Sequence, residues 1–356
     1  MRAKASIVVL ALASFVAPSC GKKGPILPPL VLQPQRAEEV KAYQRGSRVI
    51  LEWTNPTTYI DGRKLGGIAE VEIWLEERPD KPGQAPAAAF EARARRVASV
   101  VPDAAAKNQN TSSDYRLASG GWQGKTFIFA VRVREAQKKR LSDFSDEIAV
   151  KPRPLPLPPA GVKAEVFADR VEVRWDAPAS NIDGSAPALV KGYHVYRIDK
   201  KGPAARLTPA PTAGPPFADK TFEFKQPYRY FVRAAASAVE PFLESDDSSA
   251  VDVLPRDVFP PASPAGLTAA PGPDFITLVW DANKEPDLAG YRVWRRAEGQ
   301  SEFVVLTPLP ILDMTYADRA VEKGKRYDYA ISAVDAAGNE SSRSAAVTEI
   351  IKDPRP

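Results

Sequence analysis

Val171-Glu172-Val173-Arg174-Trp175 alternates apolar and polar residues and ends on tryptophan, and the same pattern occurs twice more in the chain. Val49-Ile50-Leu51-Glu52-Trp53 precedes it and Ile276-Thr277-Leu278-Val279-Trp280 follows it. Behind each comes a turn-rich loop and a second alternating run: Val71-Glu72-Ile73-Trp74, Gly192-Tyr193-His194-Val195-Tyr196-Arg197 and Gly290-Tyr291-Arg292-Val293-Trp294-Arg295. A third run follows in the same order: Phe127-Ile128-Phe129-Ala130-Val131, Tyr228-Arg229-Tyr230-Phe231-Val232 and Tyr327-Asp328-Tyr329-Ala330-Ile331. Period-two alternation buries one face of a strand and leaves the other wet, as antiparallel sheets require. The three tryptophans are spaced 122 and 105 residues apart, the size of a β-sandwich of about 100 residues. The sequence therefore predicts an all-β chain of three tandem sandwiches. No segment carries a sustained helical stripe. Ala87 to Ala98, with Glu91, Arg93, Arg95 and Arg96, reads either as a short helix or as an insertion containing a strand, and it lengthens the first repeat.

The landmarks of the second repeat, Trp175-Asp176-Ala177-Pro178, Asp183-Gly184 and Gly192-Tyr193-His194-Val195, resemble those of fibronectin type III domains. Trp280-Asp281-Ala282, Pro286-Asp287-Leu288-Ala289-Gly290-Tyr291 and Ser332-Ala333-Val334-Asp335-Ala336-Ala337-Gly338-Asn339-Glu340-Ser341 are similar to bacterial members of that family. The first repeat has Trp53 and Asp61-Gly62 but no Gly-Tyr pair, and is the most divergent. The resemblance covers roughly residues 37 to 352 and implies immunoglobulin-like sandwiches with a core and turns but no particular ligand. Proline concentrates between the repeats, in Lys151 to Pro159 and in Leu254 to Pro264, where it makes semi-rigid spacers. The expected domains are residues 37–152, 160–254 and 262–352.

The N-terminal segment has a different character. Arg2 and Lys4 precede an apolar run from Ala5 to Val16, too short to span a bilayer, which needs about 20 residues. Residues 1–19 thus read as an export signal. Ala17-Pro18-Ser19-Cys20 resembles a bacterial lipobox, which implies acylation of Cys20, a palmitate-type lipid anchor, and residues 20–36 as a tether; Ala17 and Ser19 also suit ordinary signal peptidase. Cys20-Gly21-Lys22-Lys23-Gly24-Pro25 resembles the mature start of small lipoproteins that assist assembly of the lipopolysaccharide transporter, with Ile26 where they carry Leu. That resemblance, ten residues long, implies an outer-membrane location, with the membrane face left open.

Little chemistry is available. One Cys and one His cannot supply a disulfide framework or a zinc site, and a His-dependent triad would have to use His194. Because Tyr193 and Val195 face the core, His194 is expected on the solvent side. Asp246-Asp247 reads as a hairpin tip, and Asp335, Asn339 and Glu340 as a turn favoured by backbone geometry. No catalytic residue, metal site or cofactor is expected. Charge grades along the chain: residues 37–152 hold 19 basic and 16 acidic groups, 153–255 hold 13 of each, and 256–356 hold 12 and 15. That is too dispersed for a nucleic-acid binder. The basic residues of one hairpin, Arg134, Lys138, Lys139 and Arg140, are expected at the pole of the first sandwich that faces the tether with Lys22, Lys23 and Arg36. There they are candidates to meet anionic head groups or an acidic partner. The expected function is that of a non-enzymatic, lipid-anchored envelope protein whose sandwiches bind a protein or act as a spacer. The alternatives are an assembly factor for lipopolysaccharide transport acting through its N-terminal segment, and a glycan-binding accessory.

Overall fold

The computed structural model describes residues 32–80, 88–103, 110–118, 120–200 and 202–352. Cys20, Lys22 and Lys23 lie outside them. The chain divides into two compact units. The first takes the described residues up to Ala42 with Leu51–Ser113 and Thr126–Val150; the second takes Tyr43–Ile50, Asp114–Lys125 and the chain from Lys151 onward.

The strands fall into three sets. The first is β1 (Glu38–Arg45), β2 (Arg48–Thr54), β3 (Ile68–Pro79), β4 (Arg95–Val100), β5 (Asn110–Arg116), β6 (Lys125–Glu135) and β7 (Ile148–Val150), with a one-turn helix α1 (Phe90–Arg93) between β3 and β4. Its sheets run β1-β2-β5 and β4-β3-β6-β7. The second set is β8 (Ala160–Val166), β9 (Val171–Asp176), β10 (Gly192–Asp199), β11 (Ala204–Arg206), β12 (Phe217–Asp219), β13 (Tyr228–Ala235) and β14 (Val251–Val253). The third is β15 (Thr268–Pro271), β16 (Ile276–Val279), β17 (Leu288–Ala297), β18 (Val304–Val305), β19 (Thr315–Asp318), β20 (Arg326–Asp335) and β21 (Val347–Ile350). Their sheets run β12-β9-β8 with β11-β10-β13-β14, and β15-β16-β19 with β18-β17-β20-β21. Each set therefore pairs a three-stranded with a four-stranded antiparallel sheet, the all-β sandwich arrangement expected from the repeats. Both readings of the Ala-rich insertion hold in part, since it supplies α1 and then β4.

Each sandwich buries its own apolar stripe. Leu51, Trp53, Val71, Ile73, Leu75, Phe129, Val131 and Val133 are buried in the first. Val171, Val173, Trp175, Val195, Tyr230 and Val232 cluster in the second, and Ile276, Leu278, Trp280, Val293, Tyr329 and Ile331 in the third. The Gly-Tyr pairs have a steric cause. A Cβ on Gly192 would stand 2.8 Å from the Thr212 carbonyl, and one on Gly290, where φ is +144°, 2.6 Å from the Ile311 carbonyl. The following tyrosines pair with those same segments, Tyr193 with Thr212 and Tyr291 with Ile311. The third runs add two further polar anchors. The Tyr228 and Tyr327 hydroxyls accept the Glu223 and Glu322 N–H at 2.9 and 3.0 Å. Buried Asp219 accepts Tyr230 Oη and Arg197 Nη1 at 2.8 and 2.7 Å, and Asp318 accepts Tyr329 Oη and Arg295 Nη1, both at 2.9 Å. In the first sandwich Phe127 and Phe129 stand in place of the tyrosines, so neither anchor can form there.

Trp280 is 3% exposed and meets Tyr291 edge-on at 5.4 Å. Trp280→Ala is expected to cost about 3–5 kcal/mol, the usual cost of deleting a core aromatic. Differential scanning calorimetry should show the transition of the third sandwich lowered and that of the second retained, because Trp175 belongs to a separate cluster.

Candidate functional site

The outward face of the four-stranded sheet carries an arginine–aromatic arrangement in every sandwich. Alternation along β3, β10 and β17 sends Val71 and Ile73, Tyr193 and Val195, Tyr291 and Val293 inward. Glu72 and Trp74, His194 and Tyr196, Arg292 and Trp294 therefore lie on the opposite side. Over this face passes the segment that joins the third run to the last strand, and two serines hold it in each case. Val133 N donates to Ser142 Oγ at 2.9 Å and Val131 N to Ser145 Oγ at 3.0 Å. Ala234 and Val232 donate likewise to Ser245 and Ser248, and Ala333 and Ile331 to Ser341 and Ser344. The serine backbone N–H groups return bonds to the carbonyls of the same residues. This ladder fixes the two residues between each serine pair, the second of which is Phe144, Asp247 or Arg343.

These residues complete three different sites. In the first, Trp74 meets Phe144 edge-on at 5.5 Å, and the Arg132 guanidinium lies 5.0 Å from the Trp74 ring and 4.6 Å from Phe144. The insertion covers it: Phe90 of α1 packs on Phe144 at 5.3 Å, and Glu91 pairs with Arg132 at 3.0 Å. Beneath, Glu72 accepts Trp74 Nε1 at 3.0 Å and pairs with Arg132 and Arg134. Burial works against the Glu72 carboxylate, but those hydrogen bonds outweigh it and hold its pKa below the usual glutamate value.

In the second site Tyr196 stacks on Phe231 at 5.0 Å, and Arg233 lies 4.2 Å from the Tyr196 ring. Arg233 pairs with Glu244 at 2.9 Å and Asp247 at 2.6 Å, and Glu244 accepts Tyr196 Oη at 2.7 Å. Burial, then that bond to Glu244, push the Tyr196 hydroxyl up to about 12. Phe242 covers His194 at 4.6 Å.

His194 thus corrects the sequence reading. It points away from the core as the alternation requires, yet it is 0% exposed, because the chain from Ala236 to Glu244 folds back over it. Its Nδ1 lies 3.0 Å from Thr208 Oγ1 and 3.1 Å from the Thr208 carbonyl, and its Nε2 has no partner among the described residues. Asp246 and Asp247 likewise do not form a free hairpin tip, although Asp247 is exposed. Asp247 pairs with Arg233, and Asp246, in the second unit, accepts Ser47 N and Oγ and Arg48 Nε at 2.7–2.9 Å.

In the third site Arg343 lies 4.0 Å from the Trp294 ring and 5.3 Å from Phe303, and Arg296 lies 4.8 Å from Phe303. Trp294 Nε1 donates to Ser332 Oγ at 2.8 Å, and Arg292 pairs with Glu340. Among the described residues no carboxylate meets Arg343; Glu340 lies on this face but is taken by Arg292 and by Ser332 Oγ.

The expected basic hairpin is the turn closed by Arg134 and Leu141. Arg134 is drawn onto Glu70 and Glu72, and Arg140 Nη1 donates to the Leu32 carbonyl at 3.1 Å, leaving Lys138 and Lys139 exposed. Residues 33–36 lie along the same hairpin, with Gln33 donating to Asp143 and Arg36 paired with Asp146.

One grouping escaped the sequence reading. Carboxylate oxygens of Asp257, Asp287 and Asp335 lie within 4.8 Å of one another. Asn339 Nδ2 donates to Asp335 at 2.8 Å and reaches Asp257 at 3.4 Å, and the Ala337 and Asn339 N–H groups complete Asp335. Asp335 and Asn339 do form the expected turn; the contribution of Asp257, from the proline-rich spacer, carried no local signal.

No family model matches the chain. Exoglucanase B of Cellulomonas fimi is 30% identical over 207 residues, which is 56% of this chain and 17% of that enzyme. The chain thus spans about a sixth of that relative. Among solved structures, the chicken CNTN1 FN1–FN3 domains align with 90% of this chain and 100% of theirs, at 15% identity and a TM-score of 0.27.

The buried His194 makes a pH prediction. Burial, the largest cause, lowers its folded pKa below the ordinary 6.5, with Arg206 and Arg233 acting in the same direction against Glu244. Below about pH 6.5 the unfolded chain takes up a proton that the fold resists, so stability falls as pH falls, by at most about 1.4 kcal/mol per unit for one proton. Urea unfolding of the wild type between about pH 5 and 6.5 should show this slope, and His194→Leu should flatten it.

Proposed function

We propose that this chain is a non-catalytic envelope lipoprotein, anchored through acyl chains on Cys20, whose three sandwiches serve as binding modules held off the membrane by the tether. The observation that carries the reading is the succession of signal-like segment, single cysteine, polar proline-rich tether and repeated sandwiches, each with its own core. Acyl burial at about 0.8 kcal/mol per methylene is strong enough, with two or more chains, to hold such a protein at a membrane. The sandwich fold itself implies no catalysis.

The likeness to part of a glucanase raises sugar binding as a rival. Against it, a guanidinium lies over the ring of both Trp74 and Trp294, in the position a stacked sugar would take.

Labelled fatty acid should enter the wild-type chain and be absent from Cys20→Ser, which should also move to the aqueous phase on detergent partition. Equal partition of the two overturns the anchor.

The run of Leu32–Arg36 along the Arg134–Asp146 hairpin supports a finer proposal, that Lys138 and Lys139 rest against anionic head groups near the anchor. Each basic residue at such a surface contributes about 1 kcal/mol. The chain from residue 21 onward is expected to bind vesicles rich in anionic lipid at low salt. That binding should weaken with added salt and with Lys138→Glu and Lys139→Glu, as read by vesicle co-sedimentation.

A further inference from the structure

Two of the three arginine–aromatic faces are covered by the chain itself, and the covers share a chemistry. Phe90 and Glu91 are adjacent; the phenyl ring extends the aromatic pack and the carboxylate takes Arg132. Phe242 and Glu244 are two residues apart; the ring packs on His194 and the carboxylate takes Arg233 and Tyr196. The third face has the same foundation of serine pair, strand aromatic and arginine over the ring. Its turn is too short to supply a cover: Asp335 to Glu340 replaces the longer excursion from Ala236 to Glu244. Arg343 is exposed and has no carboxylate partner among the described residues, Glu340 being held by Arg292 and Asp328 by Arg296. Phe303 lies between Arg343 and Arg296, and Trp294 is half-buried beside them.

We propose that this outward face of the third sandwich, built on Trp294, Phe303, Arg296 and Arg343, docks an acidic segment of a partner protein carrying an aromatic ring one or two residues from a carboxylate. The ring would pack beside Trp294 and Phe303, and the carboxylate would take Arg343, completing by another chain what Phe90-Glu91 and Phe242-x-Glu244 complete internally. Tryptophan and arginine are the residues in which interface energy concentrates, and a guanidinium already stacked on a ring binds a carboxylate with less ordering left to lose. The proposal rests on the reading of the sandwiches as binding modules and is independent of the lipid anchor.

The probe is a fluorescein-labelled peptide with the sequence of residues 240–247, which contains Phe242, Glu244, Asp246 and Asp247. Its anisotropy is titrated with the chain from residue 21 onward. Saturable binding is expected, weakening with salt and falling at least tenfold with Arg343→Glu. A peptide carrying Glu244→Lys, Asp246→Lys and Asp247→Lys should lose it to the same degree. Arg343 is a surface residue, and an unchanged circular dichroism spectrum will show that the variant folds. Absence of binding, or equal binding to Arg343→Glu, overturns the proposal. In cells, a photoreactive residue replacing Ser342 should trap a protein segment in competition with the same peptide. Adducts with a second copy of this chain or with glycan contradict it. Adducts from a probe at Val279, on the other sheet, with none at Ser342, keep the binding-module reading and reject this face.

Discussion

The segment that follows the third run in each sandwich leaves regular strand pairing, and its strand would lose two backbone partners if serine did not replace them. A buried N–H without an acceptor costs about 1–3 kcal/mol. Ser142 and Ser145, Ser245 and Ser248, Ser341 and Ser344 accept those N–H groups and pass their own hydroxyl protons to the next carbonyl along the chain. Three residues of spacing is what lets both hydroxyls reach the same strand. The second of the two residues between them is thereby fixed on the outward face whatever its side chain, so phenylalanine, aspartate and arginine can each occupy it without loss of the backbone network. The fold is conserved within the chain by the serines and diversified by what they enclose.

The first sandwich shows how such a module can lose standard anchors. With Phe127 and Phe129 in place of tyrosines it lacks the hydroxyl contacts that tie Tyr228 and Tyr230, or Tyr327 and Tyr329, to a turn and a buried aspartate. It carries instead a charged lattice on the outward face, where Glu72 holds Arg132 and Arg134 and Glu76 holds Arg78 and Arg93. Removing one carboxylate from a lattice of that kind leaves guanidinium groups unpaired in partly buried positions, which is costlier than any single exposed pair.

Strand alternation, the three tryptophans and the Gly-Tyr pairs made the all-β sandwiches and their order readable in the sequence. Those signals are local: period two comes from backbone geometry, and glycine from the close passage of a neighbouring carbonyl. What alternation cannot carry is the fate of the second face. It assigned His194 to the side away from the core, and correctly so, but the cover over that side comes from Phe242, 48 residues later. Asp257 joins Asp287 and Asp335 in the same non-local way. A feature in the sequence did bear on the cover: the excursion after Ala235 is longer than the one after Asp335 and carries Phe242 two residues from Glu240 and from Glu244. Length and composition of that loop, read against the third repeat, distinguish a covered face from an open one.

Net charge per repeat points the opposite way from the surfaces. The first repeat is basic in sum, yet Arg96, Arg132 and Arg134 are drawn onto Glu70 and Glu72, and of its basic hairpin Lys138 and Lys139 stay exposed. The third repeat is acidic in sum, yet it presents Arg343 on an aromatic base with no carboxylate partner among the described residues. At physiological ionic strength charges are screened beyond about 8 Å, so an acidic partner approaching the third sandwich gains no long-range attraction from the repeat as a whole. Recognition at that face has to come from contact itself, from desolvated ring surface and one well-placed guanidinium. Its specificity would then lie in the spacing between ring and carboxylate rather than in the partner's total charge.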